Sequence, residues 1–375
     1  MDKDYLVVGG GLVGAALAYG LALRRNKVQV LDEGDRAFRA SRGNFGLVWV
    51  QGKGWDCPAY AKWSNFGADL WPALAQQLQA NSGVDIDYQR PGGVEFCLNE
   101  AEWAARSNEM AQVQQHVGDA FEYEMLDHSA LKKIIPQIGK DVIGGSYSPQ
   151  DGHVNPLYLL RALHQQMQAL AVDYHPNKKV ESIEHRDNGF LLQTKTGSYS
   201  AAKVVICAGL DTQRLAAMLG MQVPVRAIRG QILITEKIAP FLHYPTLQVR
   251  QTAEGGVQIG DSHEDVGRDD GTSIEIMASI AARAIRMFPL LEQVQLLRAW
   301  GALRVMTPDG IPVYQQSVQC PGAFAIATHS GVSLAAAHAG PVVEWITGAD
   351  ETPLITNFDA SRFAVTESNK PPKPT

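Results

Sequence analysis

The sequence predicts an α/β chain built in two units: a Rossmann-like unit with a parallel sheet, begun at the N-terminus, and a second unit with an antiparallel sheet. Three observations lead there. Residues 5–33, YLVVGGGLVGAALAYGLALRRNKVQVLDE, read as a buried strand, a glycine-rich turn, an apolar helix and a second strand. Residues 180–209 and 229–260 instead fall into short strands divided by turn residues: Asn188-Gly189, Thr196-Gly197 and Glu254-Gly255-Gly256. Towards the C-terminus, AFAIAT, the turn HSG and an apolar helix from Val332 to Thr347 return to strand, turn and helix.

In the first segment Gly9, Gly11 and Gly14 form G-x-G-x-x-G directly after a strand from Tyr5 to Val8, the context that gives this motif its meaning. Gly9 permits the tight turn, Gly11 lets a pyrophosphate approach the backbone, and Gly14 lets the helix from Leu12 to Arg25 lie close to the strand. That helix points its N-terminal N–H groups at the diphosphate. Asp32 closes the second strand, Val28 to Leu31, where a carboxylate accepts hydrogen bonds from a ribose. An acid at that place argues against a 2′-phosphate and hence against NADP. FAD and NAD both remain, because phosphate-cradling glycines do not separate them.

Composition narrows the class. With 375 residues, 45% hydrophobic and 19% charged, the chain is long enough for two domains of an ordinary globular enzyme. Its formal charge of −6 and scattered basic residues exclude a nucleic-acid partner. Cys57, Cys97, Cys207 and Cys320 form no C-x-x-C, so no disulfide framework, metal or iron–sulfur site is signalled and a reducing cytoplasm fits. No membrane span is expected. The apolar stretch 5–23 follows an acidic MDKD, and the stretch 323–346 contains His329, His338, Pro341 and Glu344.

The remaining elements follow in order. Residues 34–56 are too rich in glycine and polar groups for a regular element, and their Ser41, Arg42 and Asn44 suit hydrogen bonding to a ligand. Residues 59–82 read as one helix kinked at Pro72 and stopped at Gly83. Short extended pieces from Val84 to Leu98 precede a polar helix at 99–118. After DGHVNP a helix places Leu160, Leu163, Met167 and Leu170 on one face. VESIEH, FLLQTK and AAKVVICAG read as strands, the last ending at the small pair Ala208-Gly209. RGQILITE, 247–251 and GVQIG read as antiparallel strands, followed by an amphipathic helix at 273–287. DSHEDVGRDDG, 261–271, lacks metal-ligand spacing and reads as a solvated loop. Trp49, Trp55, Trp63 and Trp71 read as core and helix-face residues.

With those blocks laid out, nearly the whole chain, residues 4–362, resembles the FAD-dependent amine oxidoreductases of the D-amino-acid oxidase and glycine oxidase superfamily. VVGGGLVGAALAYGLA with Asp32, ASRGNFG, VVICAGLDT, RGQILITE with GVQIGDS, and WGALRVMTPDGIP with ATHSGVSLAAA carry the likeness. VWVQGKG and THSGVSLA are most similar to the flavin subunits of opine oxidases and D-hydroxyproline dehydrogenases. The resemblance implies an FAD-binding domain of residues 1–85, 150–225 and 298–366 and a substrate domain of 86–149 and 226–297, while the polar, proline-rich end has too little apolar surface to order it and is expected to be a disordered tail at 367–375. It implies that Gly9, Gly11 and Gly14 hold the FAD pyrophosphate and Asp32 the ribose. Ser41, Arg42 and Asn44 would lie beside the cofactor, Val180 would meet the adenine through its backbone, Ala208 and Gly209 would border it, and Gly331 and Val332 would aim N–H groups at the flavin O2 edge.

The implied activity is oxidation of the C–N bond of an amino-acid-like amine, of opine, D-amino-acid, D-hydroxyproline or glycine/sarcosine type, by hydride transfer to flavin N5. The alternatives are a flavin-carrying electron-transfer or structural subunit of a larger dehydrogenase, and an NAD-dependent dehydrogenase. Partner subunits or a separate electron acceptor are part of the same expectation. Two departures stand out: His329-Ser330-Gly331 lacks the arginine that glycine oxidases carry there, and Ala302 stands near the place where sarcosine oxidases attach flavin through cysteine. FAD is therefore expected to be non-covalent. Arg304 occupies the G-[LF]-R arginine position and is the expected substrate-carboxylate anchor, with Arg250 and Arg229 in reserve. His329 either faces flavin and substrate or is satisfied by neighbouring backbone.

Overall fold

In the computed structural model, which describes residues 2–34, 40–349 and 354–364, a six-stranded sheet lies at the centre of the fold. Its order is Val313–Gln316, Ala323–Ala327, Lys203–Ile206, Tyr5–Val8, Val28–Leu31 and Asp173–His175. The last five strands are parallel, in register Tyr5 with Val28 and Lys203, whereas Val313–Gln316 adds an antiparallel edge. Tyr5–Val8, Val28–Leu31 and Ala323–Ala327 are buried at every residue, as continuous apolar strands covered on both faces must be. Tyr5 and Val7 enter one core with the helices Leu12–Leu23, Pro156–Ala169 and Ala335–Ala339. Leu6 and Val8 face the other way, into a core closed by the antiparallel sheet Val180–Arg186, Gly189–Thr194 and Gly197–Ala201. The alternation of side chains along one strand thus divides the unit into two layers.

A four-stranded antiparallel sheet, Val249–Gln251, Gly256–Ile259, Arg226–Lys237 and Leu296–Met306, forms the centre of the second unit. Helix Ile274–Met287 packs Ile280, Ala284 and Met287 against Leu233, Val257 and Ile259. A three-stranded sheet, Gly93–Cys97, Gly144–Ser148 and Glu124–Asp127, joins the same core through Val94 and Phe96. The last strand of the four-stranded sheet runs past residue 297 to Met306, so the stretch carrying Arg304 is held by Arg226–Lys237 rather than by the parallel layer.

Several elements differ from their expected form. The helix expected over 59–82 is two, Pro58–Asp69 and Trp71–Ser82, with Leu70 between them. Pro72 lies in the first turn of the second helix, where its missing N–H is no loss; inside one helix its ring would collide with the preceding turn. Gly83 ends that helix in the left-handed conformation, φ 70°. On Pro156–Ala169 the buried residues are Pro156, Leu159, Ala162, Leu163, Gln166 and Met167, whereas Leu160 and Leu170 are only half-buried. The helix expected from Val332 to Thr347 is a turn followed by Ala335–Ala339 and Pro341–Thr347. Pro341 cannot continue the first helix, and Gly340 takes the break. The tail at 367–375 lies outside the described residues.

Where these helices meet, His338 is fully buried, its Nε2 3.1 Å from the Tyr314 hydroxyl, which also accepts from Trp63 Nε1 at 3.1 Å. Burial pushes the His338 imidazole down to about 3. Below about pH 6.5 the unfolded chain therefore binds a proton that the folded chain refuses, and stability falls with falling pH. Replacing it, His338→Gln, is expected to flatten the acid side of the stability profile by about 1.4 kcal/mol per pH unit between roughly pH 6 and 4, read by urea unfolding. An unchanged slope would place the proton uptake elsewhere.

Candidate active site

The C-terminal ends of the parallel strands open into a cavity of about 360 Å³. Its floor is the glycine turn. Gly9 has φ +109°, and a side chain there would lie 2.4 Å from the Cys207 carbonyl oxygen. A Cβ on Gly11 would meet Ser41 Oγ at 2.7 Å, and one on Gly14 would meet the Gly9 carbonyl at 1.8 Å. Gly14 does not line the cavity; it lets the helix close on the strand. Ser41 Oγ accepts from Leu12 N at 2.9 Å, which brings the 40–56 segment over the helix start. The buried Asp32 carboxylate accepts from Gly10 N at 2.7 Å and from Gly34 N at 2.8 Å, tying the glycine turn to the end of the second strand.

Most of the expected cofactor residues meet here: Gly9, Gly11, Asp32, Ser41, Asn44, Val180, Ala208, Gly209 and Gly331 all line this cavity. Arg42 does not; it is exposed and lines neither cavity. Val180 presents an already engaged carbonyl, which accepts from Arg214 at 2.9 Å. Gly331 and Val332 lie in the turn ahead of Ala335–Ala339, not at the first residues of a regular helix, and Val332 lines a neighbouring cavity. The rim holds charged residues that the glycine motif gave no reason to choose. Lys179 pairs with Glu33 at 3.0 Å, and Arg268 reaches Asp211 at 3.4 Å. A Cβ-free cradle under a cavity of this size, with a carboxylate at the strand end, fits FAD.

The neighbouring cavity, about 180 Å³, shares Ala40, Asn44, Val305 and His329 with the larger one. Arg304 forms part of its wall, donating to Asp261 Oδ2 at 2.5 Å and to the Ser262 carbonyl at 2.7 Å. The reserves lie elsewhere and line neither cavity: the buried Arg229 pairs with Glu264 and Asp269, and the buried Arg250 donates to His153 and Gln258. Lys53, which sequence reasoning missed, lies 3.1 Å from His329 Nε2 and donates to Ser330 Oγ at 3.3 Å. Tyr60 OH meets the same Ser330 Oγ at 2.7 Å. In the sequence Lys53 is marked only by its place between Gly52 and Gly54; in the structure both glycines have positive φ. Burial, then the Lys53 and Arg304 charges, hold the His329 imidazole well below its ordinary range, so it is neutral. A lysine ammonium only donates, which places the ring proton on Nδ1. The two readings of His329 combine, since it lines both cavities and also meets the Gly310 backbone.

Segment 261–271 is mostly exposed but is not a free loop. Backbone bonds join Arg229 and Glu264 in both directions, at 2.9 and 3.0 Å, and Asp261, Arg268 and Asp270 line the cavities. Burial pushes the Glu264 carboxyl up, but bonds from Arg229, Ser262 and Gln231 outweigh it and hold it at about 2.

The sequence pattern of the DAO family, described as FAD dependent oxidoreductase, matches residues 4–345. The chain belongs to this family. It is similar to an opine oxidase subunit of Agrobacterium tumefaciens (strain Ach5), 42% identical over 96% of this chain and 98% of that one. The corresponding opine oxidase subunit of Rhizobium meliloti matches at the same identity and coverage. Among solved structures, glycine oxidase from Geobacillus kaustophilus shares the fold at a TM-score of 0.86, with 24% identity over 97% of this chain and 98% of that one. The DAO-family chain is thus an FAD-dependent enzyme, and no helix among the described residues is long and apolar enough to cross a membrane.

Two expectations follow. Asp32→Asn removes one charged acceptor from the turn and from a ribose, so FAD affinity, read by fluorescence titration of the apoprotein, should fall by about one to two decades; an unchanged affinity would move the ribose contact. The one thiol lining either cavity among the described residues is Cys207, at the glycine turn, where burial pushes it far above its ordinary range. FAD should therefore be held without a covalent bond, its colour staying in the supernatant after acid precipitation.

Proposed function

We propose that this DAO-family chain oxidises the C–N bond of an amino-acid-like amine, with an opine-type secondary amine as its substrate class. The observation that carries this reading is the small cavity bearing Arg304 beside the cofactor cavity, in a chain 42% identical to an opine oxidase subunit along its whole length. Bound FAD supplies the two-electron acceptor for the amine's α C–H, by hydride transfer to N5. The protein's own part is positioning. Each terminal nitrogen of Arg304 keeps one hydrogen beyond those given to Asp261 and Ser262, enough for a carboxylate fork. Neutral His329 leaves its Nε2 lone pair on Lys53, so it orients that lysine and does not compete for the amine proton. Phe45, Leu47 and Leu247 line the same cavity and keep water from the carbon being oxidised. The imine product leaves to be hydrolysed to a keto acid and an amine.

Since these relatives are subunits, we further propose that the chain works with partner subunits that accept its electrons. Anaerobic mixing of the FAD-loaded chain with opines, D-amino acids, D-hydroxyproline, sarcosine and glycine tests the reading. Bleaching by a secondary-amine amino acid is expected, and no bleaching by any member would defeat it. Arg304→Lys keeps the charge and loses the fork, so the substrate concentration for half-maximal bleaching should rise by about 10- to 100-fold with flavin content unchanged.

A further inference from the structure

The smaller cavity holds more positive charge than one carboxylate needs. Its charged lining residues are Lys53, Arg304 and Asp261. Asp261 already meets Arg304, and among the described residues Lys53 meets only His329 and the Ser330 hydroxyl. The imidazole does not offset the lysine, because His329 is neutral. With two cations against one carboxylate, the side chains lining the site sum to a single positive charge and Lys53 is the cation without a carboxylate partner. An amino acid with one carboxylate enters as a neutral zwitterion and would leave Lys53 desolvated without a counter-charge. An amine with two carboxylates gives one to Arg304 and the other to Lys53, so that each cation has an anionic partner.

We propose that Lys53 binds a second carboxylate of the substrate, so that the site selects amines carrying two carboxylates over amino acids carrying one. This rests on the amine-oxidation reading for its chemistry, but its geometry stands on the cavity. Lys53 and Arg304 line the same cavity from different elements, the loop that follows Val50 and the strand Leu296–Met306. A molecule held by both cations is fixed at two ends, and the bond between them is oriented by the pair.

The test separates binding from turnover. Thiodiglycolate and methylthioacetate differ by one carboxylate and carry sulfur in place of nitrogen, so neither offers a C–N bond. Isothermal titration of the FAD-loaded protein is expected to find thiodiglycolate bound about 10- to 100-fold more tightly. Lys53→Met should collapse that ratio towards one, Lys53→Gln, which still hydrogen-bonds to Ser330, should do the same, and Lys53→Arg should retain most of it. A ratio near one in the wild type, or a ratio kept in both neutral variants, overturns the proposal; equal weakening of both ligands would make Lys53 a structural prop. If the ratio behaves as expected and no amine bleaches the flavin, only the oxidation reading fails. If amines bleach it and the ratio is one, only this inference fails.

Discussion

The approach of helix Leu12–Leu23 to strand Tyr5–Val8 governs the rest of the site. With the Gly14 Cβ position only 1.8 Å from the Gly9 carbonyl, any side chain there would drive the helix off the sheet and open the turn. The turn can then be held by its own backbone: Gly10 N and Gly34 N both reach the Asp32 carboxylate, and Leu12 N reaches Ser41. One buried carboxylate and one hydroxyl thus set where the second strand ends and where the following segment crosses the helix. A buried carboxylate is tolerable only because charge-assisted bonds replace its water.

Two units that fold on different sheets meet at the cavities, and segment 261–271 is the piece that joins them. It leaves the four-stranded sheet at Ile259, pairs with the buried Arg229, and sends Arg268 across to Asp211 beside the parallel layer. The buried half of this strap is well anchored, because Arg229 and Glu264 exclude water around their pair. Arg268 is exposed, and its pair with the half-buried Asp211 contributes little. The strap is therefore firm where it carries Asp261 to Arg304 and loose at the cofactor rim.

The parallel unit was legible because its signals are local and agree: apolar strands, three glycines at fixed spacing and an acid at the right distance. The turn dipeptides likewise marked the hairpins at Asn188-Gly189 and Thr196-Gly197, which the structure forms. Errors gathered where one residue type supports two outcomes. Pro72 is compatible with a kink or with a new first turn, and the choice depends on Trp71 docking its indole on the Ser333 carbonyl, 262 residues away. Lys53 was missed for a similar reason. A lysine in a glycine-rich loop is usually solvated, and only the fold shows that this loop turns inward to His329. Asp261 looked solvated because its partner, Arg304, lies 43 residues on.

What keeps Lys53 facing inward is a buried polar network behind its loop. Asp151 has no exposed surface and accepts from Val50 N and Gln51 Nε2, both at 2.5 Å. Burial pushes its carboxyl up to about 7, against the pull of those donors and of Arg106. Gln51 in turn offers Oε1 to Arg106 at 2.7 Å and to Ser146 at 2.6 Å, and Arg106 pairs with Glu95 at 3.0 Å. A Cβ on Gly52 would strike the Arg106 guanidinium at 2.7 Å, so the chain passes close over the network immediately before Lys53. Asp151, Gln51, Arg106 and Ser146 are buried and Glu95 is half-buried, and removing one of the buried members would leave its partners unpaired at about 1–3 kcal/mol apiece. Such a network is a poor source of net stability but a strong constraint on geometry. It fixes the loop so that a charged side chain, which water would otherwise draw outward, stays aimed at the cavity.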